Sequence, residues 1–329
     1  MTNEELFQKA VEMEVSDLHL IESFRPRGRV HGVLTELCVE PISDAQFSDL
    51  LYILLSEEQR HAFARGLDID TAHDLVGERW RIHAYTQRGG RALSVRRVPS
   101  HPLPLATLGL PESVVSWASL RCGLVLVTGP TGSGKSTTAA SILDLINGRD
   151  AKHIVAIENP IEFVHTNRRC LVSQREVGTH VDSFSSALRS ALREDPDIIF
   201  VGEMRDLETI LLALQAAETG HLVISTLHTS SAAKTVARIV DVFPAEQQPQ
   251  IRAVLADTLE GVIAQELVVN RKGGRSLVCE VLQATSAVRS LIRDGKTHHI
   301  DHVLETSASS GMWSRAASVR FLRDQGILT

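Results

Sequence analysis

Eight consecutive residues, Gly129-Pro130-Thr131-Gly132-Ser133-Gly134-Lys135-Ser136, have the types and spacing of a phosphate-binding loop, Gly-x-x-x-x-Gly-Lys-Ser. Glycines let the backbone turn tightly enough to aim successive N–H groups at phosphate oxygens. A helix opening directly behind such a loop adds the positive end of its dipole. Lys135 can then reach the β- and γ-phosphates, and the Ser136 hydroxyl can ligate Mg²⁺. The predicted contact set is Gly129, Pro130, Thr131, Gly132, Ser133, Gly134, Lys135 and Ser136, with Thr137 at the start of the helix. A Gly/Ser-rich stretch on its own is an ordinary solvated turn. In this chain the apolar run Leu124-Val125-Leu126-Val127 precedes it as a buried strand, and Thr137-Thr138-Ala139-Ala140-Ser141-Ile142-Leu143 follows as a helix. That context selects a nucleoside triphosphate as the expected ligand.

Transfer of a phosphoryl group to water needs positioned donors, a divalent ion and a group that orients or deprotonates the water. Ligands of open α/β sheets bind outside the carboxyl ends of the strands, and four predicted strands finish in suitable residue types. The first feeds the loop. Ile154-Val155-Ala156-Ile157 runs into Glu158-Asn159-Pro160-Ile161-Glu162, and Ile198-Ile199-Phe200-Val201 into Gly202-Glu203. Leu222-Val223-Ile224-Ser225-Thr226-Leu227 ends at His228. In a parallel sheet these ends converge on one crevice. Glu203, directly behind an apolar strand, is expected on the water shell of the metal. Glu162, farther out on a loop, is expected to reach the attacking water. Single carboxylates are mostly solvated surface groups; it is the pairing beside a phosphate loop that singles these two out.

His228 is expected to sense or contact the γ-phosphate. His221, at the other end of the same strand and about 23 Å away, cannot share a metal with it and reads equally as a structural residue. Arginine stabilises charge on a phosphate in the transition state, from the same chain or from another subunit. Arg81 and Arg96 lie on two strands of a predicted hairpin, whereas Arg189 and Arg193, four apart, share one helix face.

Elements able to position these residues are legible on both sides of Pro99-Ser100-His101-Pro102-Leu103-Pro104, a segment that continues neither helix nor central strand. The expected division is an N-terminal α+β domain over 1–99, a Pro-rich linker over 100–108 and a P-loop domain over 109–329 with a helical C-terminal part. In the first domain the pattern predicts a helix over 4–14, a strand over 16–20, a strand and turn over 29–34 and one helix over 43–64. Two strands, over 79–85 and 92–98, form the hairpin that carries Arg81 and Arg96. Beyond the prolines strands alternate with helices, the pattern of a doubly wound parallel sheet. From about 251 onward the patterning reads as helical with a few short strands.

Composition agrees with an ordinary α/β chain. Its 329 residues exceed what one core fills, 43% are hydrophobic and only 4% aromatic. The net charge of −6 offers no electrostatic footprint for nucleic acid. No apolar run approaches the roughly 18 residues of a membrane span, and the acidic start Met-Thr-Asn-Glu-Glu is unlike a signal peptide. The four cysteines, Cys38, Cys122, Cys170 and Cys279, are scattered without a Cys-x-x-Cys pair, so neither zinc nor a disulfide framework is expected. A cytoplasmic protein is the expectation.

With these residues placed, the chain resembles the PilT-type retraction ATPases of type IV pili, within the type II/type IV secretion ATPase superfamily, over nearly its whole length. Ser16-Asp17-Leu18-His19-Leu20 matches the N-terminal signature of that family, and residues 129–136 its Walker A motif. Ile157-Glu158-Asn159-Pro160-Ile161-Glu162-Phe163-Val164-His165 resembles its Asp box, and residues 187–197 its helix before Walker B. Val201-Gly202-Glu203-Met204-Arg205-Asp206 resembles the end of Walker B, and 220–229 the His box. Ala287-Val288-Arg289-Ser290-Leu291-Ile292-Arg293-Asp294 resembles the C-terminal motif associated with retraction.

The resemblance implies a RecA-like P-loop NTPase domain preceded by a smaller PAS-like α+β domain. It further implies a homohexamer that hydrolyses ATP with Mg²⁺, with nucleotide held between the two domains. By this pattern Glu162 is the catalytic glutamate and Glu203 the Walker B residue that serves Mg²⁺ with Ser136. Arg81 and Arg96 are the N-domain arginines. The implied partner is an inner-membrane pilus platform protein reached from the cytoplasmic side, with residues 287–294 as the candidate transmitting surface; the alternative for this segment is an amphipathic helix that only packs the C-terminal domain. Three departures stand out. Asn159 replaces the usual aspartate and removes a negative charge near the metal. Ser290 and Asp294 alter the retraction motif conservatively. Trp313-Ser314-Arg315-Ala316 and the short run after it differ from the usual tail. These fit a specialised member, or an accessory one beside a paralogous retraction ATPase. The rival readings are a PilT-like ATPase of a secretion system and, less favoured by the acidic charge, a nucleic-acid translocase. Extension ATPases carry a longer N-terminal region and a tetracysteine zinc site, both missing from this sequence. A nucleotide-binding scaffold without catalysis is opposed by the retention of Lys135, Glu162 and Glu203.

Overall fold

Two sheets organise the chain. The computed structural model describes every residue except His31, Pro99, Ser100, Lys272 and Thr329. The turn position His31 and the expected boundary at 99 and 100 therefore lie outside the described residues. The chain forms two compact units, one of Met1–His101 with Pro160–Val164, the other of Pro102–Asn159 with His165–Thr329. The five residues 160–164, placed by sequence with the P-loop domain, thus pack with the N-terminal unit.

That unit runs α1 (Asn3–Glu12), β1 (Val15–Ile21), β2 (Arg27–Val30), β3 (Val33–Glu36), α2 (Asp44–Leu54), α3 (Glu57–Ala64), β4 (Ile69–Leu75), β5 (Glu78–Gln87) and β6 (Gly90–Val98). Its strands form an antiparallel sheet in the order β3-β2-β1-β6-β5-β4. The expected single helix over 43–64 is two, because Ser56 starts a new one. Its hydroxyl accepts from the Gln59 N–H at 3.2 Å, and the Gln59 side chain accepts from the Ser56 N–H at 3.0 Å.

Alternation along the strands divides the sheet faces. Leu18, Leu20, Trp80, Ile82, Ala84, Leu93 and Val95 are buried in one core with Phe7, Phe47 and Leu50 of the helices. Trp80 meets Phe7 edge to face at 5.0 Å and donates from Nε1 to the Leu75 carbonyl at 3.0 Å. The intervening residues, Asp17, His19, Arg81, His83, Ser94 and Arg96, belong to the opposite face.

The second unit contains α4 (Glu112–Trp117), β7 (Gly123–Thr128), α5 (Lys135–Arg149), β8 (His153–Glu158), β9 (Leu171–Glu176), α6 (Phe184–Ala191), β10 (Ile198–Val201), α7 (Leu207–Glu218) and β11 (Leu222–Leu227). It continues with α8 (Ala232–Asp241), α9 (Gln248–Thr258), β12 (Leu259–Val269), β13 (Arg275–Gln283), α10 (Ser286–Arg293), α11 (Ile300–Thr306) and α12 (Arg315–Asp324). The sheet order is β13-β12-β7-β11-β10-β8-β9. All pairs are parallel except β12 with β13.

Both faces of this sheet are covered, as a doubly wound layer requires. Leu124, Leu126, Val155, Ile157, Ile199 and Val201 pack with α6 to α11, whereas Val125, Val127, Ile154, Ala156, Ile198 and Phe200 pack with α4 and α5. The C-terminal part has the expected helices, α9 to α12, but its strands are long rather than short. β12 spans 11 residues and lies beside the strand that feeds the phosphate loop. A strand buried on both faces has no alternation to betray it, so its apolar run reads as helix as readily as strand.

Candidate functional site

β7, buried along its whole length, delivers the chain to the loop at residues 129–136. Gly134, at φ 87°, is the N-cap of α5, and among the described residues no side chain caps that helix. Gly129 is required by a close approach, since a Cβ there would stand 2.2 Å from the Gln265 carbonyl oxygen. The loop is tied by Gly129 N–H to the Leu227 carbonyl at 3.3 Å and by Ser133 N–H to the Pro130 carbonyl at 3.2 Å. Lys135 is 9% exposed, and its ammonium donates to the Gly129 and Pro130 carbonyls at 2.9 and 3.0 Å. A phosphate oxygen is a stronger acceptor than a neutral carbonyl and would draw the same ammonium. Pro130, Thr131 and Gly132 are exposed; Ser136 and Thr137 are partly so.

The strand ends next to this loop are in register. Thr128 lies opposite Leu227 and Ala264, and Val201 opposite Ser225 and Ile157. Glu203 and His228 therefore emerge from neighbouring strands. Glu203 Oε2 lies 2.7 Å from Arg205 Nε and 3.4 Å from His228 Nε2. The Thr226 hydroxyl donates to the Gly202 carbonyl at 2.6 Å, which fixes the two strand ends to each other. Glu158 is 8% exposed and accepts from Gln174 Nε2 at 2.9 Å. His221 is held away from these groups, with its Nδ1 3.0 Å from the Ala216 carbonyl. Arg189 pairs with Glu208, and Arg193 donates to the Arg189 carbonyl at 3.0 Å.

The N-terminal unit holds the other expected group. Arg79 Nε donates to the Ile161 carbonyl at 3.0 Å, and Arg81 Nη1 stands 3.6 Å from Glu162 Oε1. Arg81 faces Arg96 across β5 and β6, and Arg96 faces Asp17 across β6 and β1. Like charges on adjacent strands repel, and each arginine has a carboxylate to offset this. Arg96 Nε donates to Asp17 Oδ1 at 2.7 Å. Burial pushes the Asp17 carboxyl up, but the Arg96 and Ser16 hydrogen bonds and the Arg96 charge more than reverse it, holding the group below its ordinary value.

Three neighbours of the expected residues had not been singled out from the sequence. Arg205 beside Glu203 and Asp17 beside Arg96 carry no local signal of their pairing. Gln265 touches the loop from β12, and its one signal is a polar residue inside the run Val262-Ile263-Ala264 to Leu267.

Within the second unit, the phosphate loop and an acid paired with a histidine and an arginine at adjacent strand ends have the chemistry to bind a polyphosphate; the N-terminal unit separately carries the row Arg81, Arg96 and Asp17 on its sheet. A family model described as type II/IV secretion system protein matches residues 3–322. The chain is 45% identical over 326 residues to the type IV pilus retraction ATPase PilT of Pseudomonas aeruginosa, covering 99% of this chain and 95% of that one. It is also 45% identical to a twitching motility protein of Neisseria gonorrhoeae, covering 92% of this chain and 82% of the other. A crystal structure of the pilus retraction motor PilT with bound ADP superposes with a TM-score of 0.87 at 41% identity, covering 97% and 96% of the two chains.

Proposed function

The chain belongs to the type II/IV secretion system protein family, and we propose on that premise that it is a PilT-type motor ATPase that powers retraction of a type IV pilus. ATP is the substrate, and ADP and phosphate are the products. The observation that carries this is the loop itself, with its positive-φ glycines, uncapped helix start and inward-held Lys135, at the carboxyl edge of a parallel sheet. Mg²⁺ suits the donors present, a hydroxyl at Ser136 and the carboxylate of Glu203, because that ion is usually held by one or two side chains plus substrate phosphates. When bound it neutralises charge on the phosphates. Lys135 binds the β- and γ-phosphates, Glu162 takes the proton of the attacking water, and His228 contacts the γ-phosphate. Arg81 and Arg96 stabilise the charge that develops on the transferred group.

The working form is a homohexamer, and its partner is an inner-membrane platform protein met from the cytoplasmic side, with a paralogous retraction ATPase as a further partner. Among the described residues no helix is long and apolar enough to cross a membrane, so this reading sends the force through a protein contact. The experiment is deletion of the gene followed by complementation with wild type or Lys135→Ala. Twitching lost, surface pili in excess, and rescue by wild type alone would support the reading. Unchanged motility with a secretion defect would replace it by a secretion ATPase.

A further inference from the structure

The phosphate loop is gripped from behind by one side chain. Ala264 of β12 pairs with Thr128 of β7, so the next residue, Gln265, comes beside the start of the loop. Gln265 is 1% exposed, and its Nε2 donates to the Ser133 carbonyl at 2.7 Å. A Cβ on Gly134 would stand 3.3 Å from that same nitrogen. Gln265 therefore bears on the loop at residues 129, 133 and 134, by backbone at the first and by its amide at the other two.

The Ser133 carbonyl and the Gly134 N–H belong to one planar trans peptide and point in opposite directions. Pinning the carbonyl towards β12 turns the Gly134 N–H away from it, to the side where a loop of this kind receives phosphate. The arrangement has a cost. Gln265 Oε1 and Ser133 Oγ are both buried without a hydrogen-bond partner among the described residues. An apolar side chain of equal length would remove the orphaned amide oxygen but leave the Ser133 carbonyl without its donor, so the two costs offset each other and stability by itself gives glutamine little advantage at this position. We propose that Gln265 is a positioning residue for the nucleotide site, holding the Ser133–Gly134 peptide so that its N–H faces the bound phosphate. This rests on the ATPase reading above and assigns to β12 a part in it.

The test measures the affinity of a fluorescent ADP analogue in magnesium buffer, ATP turnover and the thermal midpoint in wild type and four variants. Gln265→Met keeps length and volume but has no donor. Its ADP dissociation constant and the KM for ATP should rise about tenfold, with kcat within about threefold and the midpoint within a few degrees. Gln265→Glu, which turns an acceptor towards the Ser133 carbonyl, should weaken ADP at least as much and serves if the methionine variant does not fold. Ile263→Ala, a packing change on the same strand, should lower the midpoint and leave ADP affinity alone. Unaltered affinity in both Gln265 variants, or an equal loss in Ile263→Ala, overturns the proposal. Lys135→Ala separates the two levels: if it hydrolyses ATP like wild type, the ATPase site has been misplaced, whatever the Gln265 variants do.

Discussion

Arg81 and Glu162 form an ion pair, Nη1 to Oε1 at 3.6 Å, between β5 and the five residues that the chain lends to the N-terminal unit. Both are about one-third exposed, so water screens the pair and its contribution to stability is small. Its consequence is positional. A carboxylate proposed as the base and an arginine proposed to stabilise phosphate charge hold each other's side chain in place. Arg81→Ala and Glu162→Gln should each slow turnover by at least about 100-fold, the scale of a general base or an arginine clamp. The double variant should be little worse than either single one, because residues acting as a unit are not additive. Single-turnover ATP hydrolysis in all three checks this. Strictly multiplicative losses would mean that the two residues act independently.

His228 and Arg205 share one oxygen of Glu203, at 3.4 and 2.7 Å. Removing the histidine leaves Glu203 paired but free to swing about the arginine. His228→Ala should therefore reduce kcat by about 10- to 100-fold, the worth of a hydrogen bond to a charged group, with ADP affinity within about twofold. Isothermal titration with ADP beside steady-state kinetics reads both. A parallel loss of ADP affinity would place His228 at the diphosphate rather than at the γ-phosphate.

The loop, the strands around it and the residue types at their ends were legible because each is a local pattern: a fixed spacing, an apolar run, a polar residue directly behind it. The capping pair Ser56 and Gln59 was equally local, and the long-helix reading of 43–64 passed over it. What could not be read are contacts set by register. Gln265 and Ser133 are 132 residues apart, and nothing in either segment names the other. Glu162 was legible as an acid on a loop, but its pairing with Arg81 depends on which unit that loop packs with. The length and place of β12 were not legible for another reason: burial on both faces erases the period-two signal that distinguishes a strand from a helix.

The N-terminal unit contains an acid-sensitive clamp. Arg91 at the start of β6 donates from Nε and Nη2 to the two oxygens of Glu22, both at 3.0 Å, and also reaches Asp44 and the Ser48 hydroxyl of α2. The Arg91 hydrogen bonds, followed by one shared with Asp44, draw the Glu22 carboxyl from 4.5 down to about 2. A depressed carboxylate contributes stability above its unfolded value and loses it as pH falls through the folded one. The window here runs from about 4.5 to about 2. Arg91→Met should thus melt lower than wild type at pH 7, with the gap narrowing between pH 4.5 and 2. Thermal melts of both proteins across that range decide it; a gap independent of pH would mean that only packing had been lost.

Arg289 and Arg293, four apart on α10 and both within the expected transmitting surface 287–294, have different partners in the structure. Arg289 is a clamp. Its guanidinium donates to the Ala284, Ala256 and Asp257 carbonyls at 2.9, 2.7 and 2.8 Å and to Glu260 Oε1 at 2.8 Å, tying α10 to the end of α9 and the start of β12. Arg293 is 46% exposed and meets Asp257 at 3.5 Å, a surface pair of little energetic weight. With Ser286, Ala287, Ser290 and Asp294 it makes up the outward side of the helix. Arg289→Ala should destabilise the protein by roughly 2 kcal/mol, since it leaves carbonyls and a half-buried carboxylate without their donor. Its ATPase activity should decline with that loss, because β12 leads from Glu260 to the phosphate loop. Arg293→Ala should keep both the thermal midpoint and ATP turnover yet abolish retraction, leaving surface pili in excess. Calorimetry, ATPase assays and pilus counts on the two single variants distinguish the roles. If Arg293→Ala retracts pili normally, the outward face of α10 is not the transmitting surface, and the motif serves packing alone.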